Sequence, residues 1–106
     1  MFERIETVEN TTNETLEVLL EPWGMPHGLV AGHSLRVVAR SSHDGQLEVT
    51  RSGNLLTIYA WPGATAQVFE GDMLVHDLST PVPNVPDTMS VRAFVNAMFR
   101  SRKDRK

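Results

Sequence analysis

From residue 2 to about residue 77, apolar and polar residues alternate with a period of two, and turn-forming residues break the alternation every eight to twelve positions. A β-strand sends successive side chains to opposite faces, so the pattern gives each strand one buried and one solvated face. The expected fold class is therefore all-β: a β-sandwich or small β-barrel of about seven antiparallel strands. The clear alternating runs cover residues 3–9, 15–21, 34–40 and 46–51, and a short run at 28–31 fits strand and loop alike. Residues 55–61 are the most apolar run, rich in aromatic and β-branched side chains, which predicts a strand buried on both faces. Residues 66–70 and 73–76 flank Gly71-Asp72, a pair suited to a two-residue hairpin turn.

The stretch "EPWGMPHG", residues 21–28, interrupts this order. Pro22 cannot donate to a ladder, and Gly24 lets the chain turn sharply. The stretch reads as a corner, with Pro26 and Gly28 prolonging an irregular loop and Trp23 plugging one end of the core. "AWPG" at 60–63 repeats the theme at another strand end.

After residue 78 the pattern changes. "STPVPNVPD" carries three prolines in nine residues and reads as an extended connector over 79–87. Beyond it, Val91, Phe94, Val95, Met98 and Phe99 recur at helical spacing and predict an amphipathic helix from about 88 to 101, capped by Asp87 and followed by a basic tail. The expected organisation is thus a β domain over 1–78, the connector, and the helix with its tail over 88–106.

Charge is divided unevenly. Residues 1–91 hold four arginines against twelve carboxylates, a net of −8, whereas residues 92–106 hold six basic residues and one aspartate, a net of +5. So acidic a body disfavours nucleic acid as a partner despite the basic tail. No apolar run approaches the ~20 residues that span a bilayer. The N-terminus lacks the basic and apolar regions of a signal peptide, and the chain has no cysteine, so the expected location is the cytoplasm.

The absence of cysteine also removes thiol nucleophiles, thiolate metal sites and the usual copper ligand set. Ser41-Ser42-His43-Asp44 contains the residue types of a catalytic triad, but neighbours in one turn cannot face each other as a triad requires. Glu17, Glu21, Glu48 and Glu70 are expected on a solvated face rather than as paired acid and base. No catalytic residue and no cofactor is expected. Four histidines remain. His43 belongs to a turn, while Glu21, His27 and His33, with His76 from the last strand, are the candidate metal ligands. No two histidines stand one residue apart, as they do in a cupin metal strand.

The segments "NTTNETLEVLLEPWG", "HSLRVVA" and "LTIYAWPG" resemble a group of small bacterial all-β, β-sandwich-like proteins carrying an L-E-P-W-G segment, a group with no known activity. The resemblance spans residues 10–74 and implies the fold without assigning any site residue. The chain is more loosely similar to immunoglobulin-like and cupredoxin-like sandwich modules.

The expected function is a non-enzymatic binding or assembly module of a bacterial cytoplasm. It would form homo-oligomers or bind another protein through Val91, Phe94, Val95, Met98 and Phe99, with Trp23 as an anchor on the body. The alternative is a metal-dependent or small-ligand-binding, cupin-like protein with its site near Glu21, His27 and His33.

Overall fold

The computed structural model describes residues 1–83, and within them the chain forms eight β-strands and no helix. These are β1 (Phe2–Glu9), β2 (Leu16–Glu21), β3 (Met25–Leu29), β4 (Ser34–Ser41), β5 (Glu48–Ser52), β6 (Leu55–Tyr59), β7 (Thr65–Glu70) and β8 (Met73–Leu78). They build two four-stranded sheets, ordered β1-β4-β7-β8 and β3-β2-β6-β5. The inner faces share one core. Leu16, Val18, Leu20, Leu29 and Ile58 come from one sheet, and Leu35, Val37 and Val68 from the other. Leu16, Val18 and Leu20 occupy alternate positions of β2, so the period of two places all three on the buried face.

The alternation carries over to β2 and β4, and residues 56–59 of β6 are all buried, as the apolar run 55–61 implied. It does not carry over to β5, an edge strand with no buried residue and with Val49 exposed. β7 and β8 form the expected hairpin, with Gly71 at φ 60° in the left-handed region that the turn requires.

Two expectations change. The strands number eight, and they are not all antiparallel: β2 and β6 run parallel, with Glu17 opposite Leu55 and Glu21 opposite Tyr59. Side-chain alternation is the same in both kinds of ladder, so periodicity could not distinguish them. The second change concerns "EPWGMPHG". Only Pro22, Trp23 and Gly24 form a turn, with Gly24 at φ 69° and a cis Glu21–Pro22 peptide. Met25–Leu29 is strand β3, antiparallel to β2, with Pro26 opposite Leu19 and His27 opposite Val18. β3 is an edge strand, which is where a proline can be accommodated within a sheet.

The first part of the expected connector lies against the body. Val82 is buried, its N–H donates to the Ala64 carbonyl, and its own carbonyl accepts from the Gly63 N–H. The rest of the connector, the expected helix with Val91, Phe94, Val95, Met98 and Phe99, and the basic tail lie outside the described residues.

Side chains tie strands and connecting segments together along both open sides. On the β1 side, Arg4 donates through Nε to the Gly45 carbonyl and through Nη2 to Asp44 Oδ1 at 2.8 Å. On the β3 and β8 side, Trp23 Nε1 donates to the Thr80 carbonyl at 2.7 Å. A second bridge on that side is made of histidines.

Candidate functional site

His27 projects from the edge strand of one sheet, and Glu70 and His76 project from the last two strands of the other. His33 stands just before β4, in the β3–β4 connection. The four side chains form one chain of hydrogen bonds. His27 Nε2 lies 2.7 Å from Glu70 Oε1, His33 Nδ1 lies 2.8 Å from Glu70 Oε2, and His27 Nδ1 lies 3.0 Å from His76 Nε2. The rings of His27 and His76 meet edge to face, with centroids 5.1 Å apart.

The electrostatics follow from this geometry. Hydrogen bonds from His33 and then His27 hold the Glu70 carboxyl below its ordinary range, so Glu70 is ionised at neutral pH and only accepts. The His27 Nε2 and His33 Nδ1 positions must then carry the protons that they donate to it. Burial, followed by repulsion from His27, lowers the pKa of His76. A neutral His76 suits both protonation states of its neighbour: it donates to the bare Nδ1 of a neutral His27 or accepts from a cationic one.

The cluster runs from covered to open. His27 keeps 14% of its side-chain surface exposed, Glu70 24% and His33 51%. Solvent and solutes therefore reach it from the His33 end. Among the described residues, no group of three or more His, Asp or Glu side chains could hold a metal ion; in this cluster the donors are turned toward one another.

The backbone of His33 is held by a residue that sequence reasoning passed over. Asn10 is buried between β1 and β2; its N–H donates to the His33 carbonyl, and its carbonyl accepts from the Gly32 N–H. Its side-chain amide donates to the carbonyls of Glu14 and Leu29, and its Oδ1 accepts from the N–H and hydroxyl of Thr12. Every polar group of Asn10 is thereby used, and the β1–β2 and β3–β4 connections are locked together next to His33.

Of the four candidate ligands, the fold unites His27, His33 and His76 and leaves Glu21 apart. Glu21 ends β2 opposite Tyr59, is buried, and has its carboxyl raised by desolvation. Glu70 takes the place expected of it, although Glu21 and Glu70 were both expected to be solvated. The signal for Glu70 was positional: it is the last strand residue before the Gly71-Asp72 turn, at the same end of the sandwich as the β3–β4 connection. His43 is exposed beyond the opposite end of β4. Trp23 is half-buried against the core and engaged by Thr80.

The fold and site define a two-sheet β-sandwich with a histidine–carboxylate cluster between two sheet edges. No protein-family model matches the chain, and no curated protein or solved structure matches it significantly. Among the described residues, no helix is long and apolar enough to cross a membrane.

Proposed function

We propose that the chain is a non-enzymatic binding module that takes a small ligand or ion where His27, His33, Glu70 and His76 meet. The observation that supports this reading is the hydrogen-bonded chain itself, which draws three imidazoles and one carboxylate from two sheets to a single accessible edge. Such a set can accept protons, cations or hydrogen-bond donors. Its hydrogen bonds join the four side chains to one another rather than to a hydroxyl nucleophile, which favours binding over covalent chemistry. The test is the imidazole nuclear magnetic resonance spectrum of the full chain, titrated with zinc chloride, inorganic phosphate and succinate. Movement of the His27, His33 and His76 signals with at least one of them is expected; no movement with any overturns the reading.

Self-association through the stripe Val91, Phe94, Val95, Met98 and Phe99 belongs to the same proposal, in a bacterial cytoplasm. The charge division supports it, because a tail of +5 is attracted to a neighbouring body of −8. Light scattering should show an oligomer for the full chain and a smaller species for a chain ending at Asp87. A monomer in both cases removes self-association.

A further inference from the structure

On the side of the sandwich away from the histidines, we infer that the free edge of β1 pairs antiparallel with β1 of a second copy of this chain, across a two-fold axis at Ile5. The two β1-β4-β7-β8 sheets then join into one continuous sheet.

β1 is the outermost strand of its sheet, and its eight residues pair in unbroken register with β4. The open edge of such a strand is a template for another. Its outward groups can be assigned. Asn10, the next residue, donates its N–H to the His33 carbonyl, so the even-numbered residues of β1 turn their backbone groups to β4. The Glu3 carbonyl, in keeping with this, accepts from Arg4 Nη1 at 3.2 Å instead of from a strand. Glu3, Ile5 and Thr7 therefore direct their N–H and C=O groups outward. Among the described residues, no backbone group outside the sheet bonds to them. An open cavity of about 350 Å³, lined by Arg4, Ile5, Glu6, Gln46 and Leu47, lies beside the middle of the strand, and Ile5 is 53% exposed.

The residues of the strand argue for a second copy as the occupant. A two-fold axis normal to the sheet keeps each face on its own side, so residues pair only with residues of like parity. With Ile5 on the axis, Ile5 meets the partner's Ile5, Arg4 the partner's Glu6, Phe2 the partner's Val8 and Glu3 the partner's Thr7. The Arg4–Glu6 pair forms twice, at the closely spaced non-hydrogen-bonded positions. The Ile5 pair extends the apolar row that Ile5 makes with Val38 across the β1–β4 ladder. Moving the axis by one residue sets Arg4 against Arg4 or Glu6 against Glu6, which like charge disfavours. Charged side chains on the inner side of an edge strand ordinarily repel a newcomer, but here their opposite signs suit a second copy. In the dimer the Glu3 carbonyl accepts from the N–H of the partner's Thr7, which frees Arg4 Nη1 for the partner's Glu6.

The experiment is sedimentation velocity of the full chain over a range of concentrations. A reversible dimerisation step is expected. Glu6→Arg should weaken it about tenfold or more, because two attractive pairs become repulsive, and Arg4→Glu combined with Glu6→Arg should restore it. Thr7→Pro, which removes an outward N–H and no bond within the sheet, should weaken it about tenfold as well. Leu74→Lys, on β8 at the other edge of the sheet, should leave it unchanged. Circular dichroism confirms that each variant is folded, and Thr7→Pro serves if the double variant does not fold. A monomer at every concentration, or association that neither Glu6→Arg nor Thr7→Pro weakens, overturns the inference. A folded double variant that associates no better than Glu6→Arg also overturns it. Phe94→Glu separates this edge from the C-terminal stripe. Association lost in Phe94→Glu but kept in Glu6→Arg and Thr7→Pro leaves the stripe and removes the edge, and the converse supports the edge and removes the stripe.

Discussion

His27 and Glu70 belong to different sheets, yet His27 Nε2 and Glu70 Oε1 lie 2.7 Å apart. The contact joins the two sheets along the side where β3 and β8 are the edges, and it makes the proposed site depend on the packing of the sandwich. Removing the charge while keeping the shape should reveal this. Glu70→Gln is expected to lower stability by about 1 kcal/mol, less than a buried charged hydrogen bond because the cluster is partly open to water. Urea unfolding of the chelator-treated protein at pH 7.5 measures it.

The same cluster sets a pH dependence. His76 has its pKa lowered from an ordinary value of 6.5, so the folded state takes up its proton less readily than the unfolded chain. Stability is therefore retained above pH 6.5 and lost as the pH falls below it. Glu70, lowered from 4.5, adds a second loss as the pH falls below 4.5. Glu21, raised from 4.5 by burial, acts in the opposite sense, because protonation relieves a buried charge. Unfolding midpoints between pH 8 and pH 4 should decline through the His76 range, and His76→Phe should flatten that part of the curve. An unchanged slope in the variant would assign the decline to other groups.

How much of this was legible in the residues depends on range. The alternation of Leu16, Val18 and Leu20 is a local property, and it predicted which face of β2 is buried. The parallel pairing of β2 with β6 is not local, because any partner suits the same alternation. Pro26 and Gly28 suggested a loop on propensity, but pairing with β2 carried them into an edge strand, where the missing N–H of Pro26 is tolerated. The histidines were recognisable as candidates by type. Choosing Glu70 over Glu21 required knowing that β7 and β3 reach the same corner, which no single segment encodes.

Gly45 shows a close approach that the turn pattern alone did not convey. A Cβ at this position would lie 2.1 Å from Cγ of Trp61, whose indole N–H is held by the His43 carbonyl. The ring is large, buried and tethered, so it cannot easily yield. Gly45→Ala is expected to cost about 1–3 kcal/mol through overpacking. Thermal unfolding beside Gly53→Ala, a turn glycine at φ 59° with open space around its Cβ position, separates overpacking from backbone strain.

Asn10→Ala is expected to cost about 2–3 kcal/mol, because it strips the carbonyl of Leu29 of a buried donor and removes the anchor of the β1–β2 connection. It should also loosen the backbone before His33, faster amide exchange at Gly32 and His33 being the direct sign. Wild-type exchange rates there would show that the asparagine supports stability alone.

That His27, His33, Glu70 and His76 form one hydrogen-bonded cluster is tested most directly by the imidazole nuclear magnetic resonance spectrum of the full chain. Glu70→Gln is expected to move the His27 and His33 signals and to leave that of His43 in place. His27 and His33 signals unchanged by the substitution would contradict the cluster.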